Sequence, residues 1–211
     1  DMKLGILSME LDGSDLRSEV SEYEGEKIRG CNDLYFDSVG NLYFTAPAGS
    51  NAKNPVGEVF CRLKKDGRVV RIDEGLRFPN GLAVSSDDRL LVVAETFTRK
   101  LLAYHLDRPG QRSSRVDWAS FPGDSPVGGD GMDFDGDGHL IATNYGEGEL
   151  DIFSPDGSLL RRIKLPFAKP SNVHFMGPDS TQLLVTEHEN NALWIFDYGE
   201  KGQRQYGWSK D

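Results

Sequence analysis

A β-propeller is the fold this sequence predicts, and three observations predict it. A polar anchor recurs along the chain. Short strand-like runs follow each recurrence. The repeat length is that of one blade. The anchors are Asn32, Asn80, Asp130 and Asn172, which stand 48, 50 and 42 residues apart. Four short strands at a period of about 40–50 residues are the signature of propeller blades. A β-sandwich with regular strand spacing would have no reason to restart the same polar motif.

The elements follow in order. After each anchor comes an alternating run, an Asp/Gly/Ser turn, and a second apolar run. The second runs are Asn41-Leu-Tyr-Phe-Thr45, Leu90-Leu-Val-Val-Ala94, His139-Leu-Ile-Ala-Thr143 and Gln182-Leu-Leu-Val-Thr186. They are β-branched or aromatic and bounded by turn residues, which marks strands. Third runs follow at 57–63, 100–104, 149–153 and 192–196, and fourth runs at 68–72 and 159–163. Blades are therefore expected over about 30–76, 78–121, 128–166 and 170–211. Residues 1–22 read as the outer two strands of a further blade. Gly- or Pro-bearing stretches at 46–55, 108–112 and 121–129 read as loops. About four and a half blades do not close a ring, and an open sheet edge invites pairing. The expectation is one domain over 1–211, completed by upstream sequence or by a second chain.

Composition narrows the function classes. The chain has 211 residues, 37% of them hydrophobic, enough for one β domain with a core. The net charge of −10 argues against nucleic acid and anionic membrane as partners. No 18-residue apolar run occurs, so no membrane-spanning helix is expected. Two cysteines, Cys31 and Cys61, are too few for a disulfide framework and match no zinc spacing. No signal peptide is visible, and the cytoplasm is the favoured compartment.

The first strand of a propeller blade lines the central channel, so the anchors should meet around one mouth. Asn32, Asn80 and Asp130 then offer two amide oxygens and a carboxylate to one point. Such donors suit a hard divalent cation: Ca²⁺, Mg²⁺ or Mn²⁺. The competing reading is that Asn-Gly and Asp-Gly simply make tight turns. That explains Asn80-Gly81 and Asp130-Gly131, but not Asn32-Asp33 or Asn172-Val173. His174, two residues past Asn172, should share the channel face with Leu34, Leu82 and Met132. Channel packing is its ordinary role, and a proton shuttle the sharper one. Asp133-Phe-Asp135-Gly-Asp137-Gly138 mimics the start of an EF-hand loop, but Asn144 occupies its twelfth position, and a β-turn is expected. Glu95 and Glu187-His-Glu189 read as surface residues at strand ends, with a supporting role behind the site as the sharper reading of Glu95. Trp118, Trp194 and Trp208 read as packing. No Gly-x-Ser-x-Gly elbow exists, and none of the four histidines pairs with an obvious serine.

Several phrases carry a resemblance: Cys31-Asn-Asp33, Asp37-Ser-Val-Gly-Asn-Leu42, Phe78-Pro-Asn-Gly-Leu82, Val93-Ala-Glu-Thr96, Gly129-Asp-Gly-Met132, Asp135-Gly-Asp-Gly-His-Leu140 and Pro170-Ser-Asn-Val173. In order and spacing they resemble the gluconolactonase, regucalcin (senescence marker protein) and luciferin-regenerating-enzyme family. The resemblance implies a six-bladed propeller, of which this chain supplies about four and a half blades. It also implies one catalytic divalent metal, Ca²⁺ first with Mg²⁺, Mn²⁺ or Zn²⁺ as alternatives, and hydrolysis of a small sugar-acid lactone. By motif, Asn32, Asn80 and Asp130 match the family's metal ligands, and Asp130 its proposed general base. The family's further ligand, a Glu in the first blade, has no counterpart here. An Arg that often precedes the first Asn by two is Gly30 here, which leaves Arg29, one place earlier, as the candidate. Arg29, Asn172 and His174 are the candidate substrate contacts. Phe44-Thr-Ala-Pro47 lacks the carboxylate of the family's Phe-Thr-Asp-Pro. The reading is a metal-dependent lactone hydrolase, and the alternative is a non-catalytic propeller that binds a metal or a protein partner.

Overall fold

A computed structural model describes residues 3–28 and 30–207. The chain is all-β, and helix among the described residues is limited to one 3-10 turn at Thr96–Thr98. Two short hairpins come first. Strands β1 (Ile6–Ser8) and β2 (Arg17–Val20) pair, as expected, and β3 (Glu22–Tyr23) and β4 (Glu26–Lys27) form a hairpin the sequence did not announce. Three complete blades follow. They are β5 (Leu34–Phe36), β6 (Leu42–Ala46), β7 (Gly57–Arg62) and β8 (Val69–Leu76); β9 (Pro79–Val84), β10 (Leu90–Glu95), β11 (Lys100–Arg108) and β12 (Gln111–Ser120); and β13 (Gly129–Phe134), β14 (Leu140–Asn144), β15 (Glu149–Phe153) and β16 (Leu159–Lys164). A three-stranded sheet, β17 (Pro170–Phe175), β18 (Gln182–Glu187) and β19 (Ala192–Asp197), comes last. Every pairing is antiparallel between sequence neighbours, with Leu82 opposite Val93 and Tyr35 opposite Tyr43. This arrangement is compatible with part of a six-bladed propeller. No helix among the described residues is long and apolar enough to cross a membrane.

The turns follow from local chemistry. In the first hairpin of one blade, Asp37 Oδ1 accepts the backbone N–H groups of Val39, Gly40 and Asn41. Asp135 repeats the device, accepting from Asp137 and His139. Such Asx geometry is why the Asp-Gly segment makes a β-turn, as expected, between strands rather than a calcium loop. The stretch 108–112, read as a loop, is mostly strand. Only Pro109 and Gly110 separate β11 from β12, and Gly110 takes the positive φ of +73° that the tight reversal needs.

Cores lie between blades. One joins Tyr43, Val59, Leu91, Val93, Leu101, Tyr104, Phe134 and Phe153 across three sheets. A second joins Ile141, Ile152, Phe167, Val173 and Val185 between the last two sheets. Middle strands are covered on both faces, so β6 and β14 are buried throughout. Outer β12 is largely exposed, and its Arg112 and Arg115 reach inward to flank the buried Asp73 of β8. Trp118 packs on the large core. Trp194 stays partly exposed, stacked 6.2 Å from Phe196, and Trp208 lies outside the described residues.

The last blade departs from expectation. Instead of a fourth strand after β19, residues 201–207 run beneath the inner strands at the end opposite the anchors. Gly136 N–H donates to Lys201 C=O, and Gln203 N–H to Phe134 C=O. Gln203 Nε2 donates to Val84 C=O and to Tyr35 Oη, both at 2.7 Å, and Gln205 Nε2 donates to the same hydroxyl at 2.6 Å. Tyr35 in turn donates to Asp133 Oδ1 at 3.0 Å. Tyr35→Phe is expected to destabilise by about 1–3 kcal/mol, because it strands buried donors. Urea titration with an unchanged m-value checks this, and an unchanged midpoint would contradict it.

Candidate active site

The two Gly-bearing anchors are not turns. Asn80-Gly81 lies inside β9 and Asp130-Gly131 inside β13. The glycines serve close approach between blades. A Cβ on Gly81 would lie 1.9 Å from the Asp130 carbonyl oxygen, and one on Gly131 would lie 2.0 Å from Asn172 Oδ1. The absent side chains let the inner strands β9, β13 and β17 converge at their starts, which brings the anchors together.

Asn80 and Asp130 stand on the neighbouring inner strands β9 and β13. Burial first, and then the charge of Asp33, push the Asp130 carboxyl up to about 7 against the opposing pull of the Asn80 side chain. Burial likewise pushes Asp33 up to about 6, while the backbone N–H groups of Leu34 and Leu82 hold it down. Two carboxyls whose charge is penalised, with an amide between strands, form a site that favours a cation. Asp33 is the site residue that sequence reasoning passed over. Its signal was present, since it directly follows the anchor Asn32.

Asn32 sits on the exposed rim just before β5, its N–H donating to Thr45 C=O at 3.0 Å. Among the described residues, no hydrogen bond joins its side chain to Asn80 or Asp130. Thr45 braces this corner: its hydroxyl accepts from Asp33 N–H and donates to Asn80 C=O at 2.8 Å. Asn80 is buried, and its Nδ2 donates to Thr96 Oγ1 at 3.2 Å. Its Oδ1 is buried without any partner.

That orphaned oxygen is the test of whether the residues fit a metal. A buried acceptor left unpaired costs about 1–3 kcal/mol, which a cation would relieve. An amide oxygen beside a carboxylate is a suitable hard-cation donor pair. The described residues contain no metal-holding group of three or more His, Cys, Asp or Glu side chains. The expected donor set, with Asp130 its one carboxylate, does not require such a group. The residues fit.

A cleft of about 290 Å³ opens along the channel face, lined by Asp33, Leu34, Leu82, Met132, Asn172 and His174 among others, and of the four anchors only Asn172 lines it. The structure thus gathers Leu34, Leu82, Met132 and His174 on one face, as their alternation predicted. His174 is not only packing. Its Nδ1 lies 2.8 Å from Oδ2 of the buried Asp133, and that hydrogen bond raises its pKa. Asn172 is exposed and turns its Oδ1 onto Val173 N–H at 2.8 Å. Arg29 lies outside the described residues. Two glutamates read as surface residues are buried. Glu95 accepts from Arg77 N–H and from the Thr98 hydroxyl, and Glu187 caps the backbone of Glu189, Asn190 and Ala192. Both are buried because loop N–H groups surround them, which periodicity cannot reveal.

Fold and site together define part of a β-propeller with Asn80 and Asp130 on neighbouring inner strands. The chain belongs to the SMP-30/Gluconolactonase/LRE-like family, whose sequence model matches residues 2–189. It is 41% identical over 98% of its length to diisopropyl-fluorophosphatase of Loligo vulgaris, and it spans 69% of that protein. It is 32% identical over 81% of its length to a gluconolactonase of Zymomonas mobilis, of which it spans about half, 51%. Among solved structures, a calcium-binding regucalcin from Agrobacterium tumefaciens superposes with a TM-score of 0.81 at 22% identity, over 99% of this chain and 74% of that one, and shows the fold alone. A gluconolactonase from Xanthomonas campestris superposes with a TM-score of 0.76 at 28% identity, over 92% of this chain and 65% of that one. These relatives support an enzyme of the lactone-hydrolase class.

Proposed function

We propose that the protein hydrolyses a small lactone with a divalent cation, Ca²⁺ first, held by Asn80, Asp130 and Asn32. The observation that carries this reading is the buried, unpartnered Oδ1 of Asn80, on a side chain that neighbours the Asp130 carboxyl. When bound, such a cation supplies Lewis-acid polarisation of a carbonyl and acidifies water. The chain's own residues supply the rest. Asp130, a ligand through one carboxylate oxygen, would take the proton of the attacking water on the other. Asp33, anchored by Leu82 N–H at 3.1 Å, adds negative charge beside Asp130 that would favour a bound cation. Leu34, Leu82 and Met132 give the cleft an apolar wall that excludes water from the ring. Asn172 and His174 stand on its polar side as the substrate contacts, with Arg29 a further candidate on sequence alone. Ring opening by water needs no covalent enzyme intermediate. A small molecule is the implied partner.

A second reading has its own support in the 41% relative from Loligo vulgaris, named for a phosphofluoridate. The same carboxyl and cation would then act on a phosphoryl centre. The experiment runs both assays on one preparation: acid release from gluconolactone and fluoride release from diisopropyl fluorophosphate. Activity in either should disappear with a calcium chelator and return with added Ca²⁺. Turnover of the lactone supports the first reading, and fluoride release alone the second. Activity indifferent to exhaustive chelation would refute both.

A further inference from the structure

Thr96 decides which face of the Asn80 amide is offered to the site. The two ends of an asparagine side chain are nearly the same in shape, so only their partners fix which is presented. A threonine hydroxyl has a single proton. That of Thr96 is committed: Oγ1 donates to the Gly129 carbonyl at 2.8 Å in a buried setting. Towards Asn80 the hydroxyl can therefore only accept, and the atom facing it at 3.2 Å must be Nδ2. The oxygen is forced to the other side, where it is buried and unpartnered. Thr96 is itself immobilised, since its N–H donates to Phe78 C=O at 3.1 Å and its C=O accepts from Gly128 N–H at 2.9 Å. The relay runs from the backbone of one blade, Gly129 C=O, through one hydroxyl, to the side chain of the next.

We infer that Thr96 is the positioning residue of the site, locking the Asn80 amide so that Oδ1 is presented as an oxygen donor for a hard divalent cation. This rests on the metal reading above for its purpose but not for its geometry. Outer partners of this kind orient ligands, and their loss typically costs about 10–100-fold in metal affinity. Thr96→Val keeps the shape and removes the hydroxyl, whereas Thr96→Ser keeps the relay.

The test has two arms. Neutron diffraction from deuterated, metal-free crystals should show deuterons on the Asn80 atom facing Thr96, and the Thr96 hydroxyl deuteron aimed at Gly129 C=O. A hydroxyl deuteron aimed at Asn80 would overturn the inference, whatever the protein's activity. The second arm is calorimetric Ca²⁺ titration of a double-mutant cycle. Thr96→Val should weaken binding by about 10–100-fold, and Thr96→Ser should not. In an Asn80→Asp background, which has no amide to orient, Thr96→Val should cost far less. An equal loss in both backgrounds would make Thr96 a merely structural residue and overturn the inference. A wild-type protein that takes no Ca²⁺ would sink the metal reading, while the deuteron positions would still decide the orientation.

Discussion

Asp130→Asn is expected to lower lactone turnover by about 10²–10⁴-fold while the protein stays folded. The substitution is close in size and leaves the strand pairing of β13 untouched. It removes the only carboxylate of the expected donor set and the group that accepts the water's proton. The side chain bears a charge its surroundings oppose, since burial and Asp33 both raise its pKa. A carboxylate held under those conditions is there for chemistry or for a cation rather than for stability. The melting temperature of the metal-free variant should therefore match or exceed that of the wild type. Steady-state kinetics beside thermal unfolding decide the matter. Unchanged kcat at a normal melting temperature would show that the base lies elsewhere.

Gly81→Ala should do the most damage to the fold for the smallest change. The added methyl would stand 1.9 Å from the Asp130 carbonyl oxygen and 2.7 Å from Gly131 Cα, all backbone that cannot rotate away. Strands β9 and β13 would have to part, separating Asn80 from Asp130. The expected cost is about 3 kcal/mol, the upper end for overpacking, with loss of metal binding. Gly136→Ala is the control, because its nearest neighbour, the Lys201 carbonyl oxygen, stands at 3.3 Å. Urea unfolding of the two variants should separate them clearly. Equal midpoints would mean that the inner strands can give way without cost.

Much of this architecture was legible in the sequence because the repeat carries it. Asn80 and Asp130 stood out as polar residues at a blade's recurrence, and the apolar second runs marked strands that are buried on both faces. What was missed follows from the same physics. Strand β12 faces solvent along nearly its whole length, so it has no alternation to read. Glu95 and Glu187 look like ordinary charged strand ends, and only the folded loops that donate to them make them internal. The contact from Gln203 to Tyr35 spans 168 residues, and nothing local to either residue announces it. Asp33 was overlooked for a different reason. The anchor Asn32 drew the reading, and its neighbour Asp33 acts on Asp130 through its charge, which no local pattern announces.

The presence of a cation between the anchors is the claim on which the rest depends. Crystals grown with Ca²⁺ and measured at long wavelength would locate it by anomalous scattering. The account predicts one peak about 2.3–2.6 Å from both Asn80 Oδ1 and an Asp130 carboxylate oxygen. No peak there at saturating Ca²⁺, with Asn80 Oδ1 still unpartnered, would contradict it.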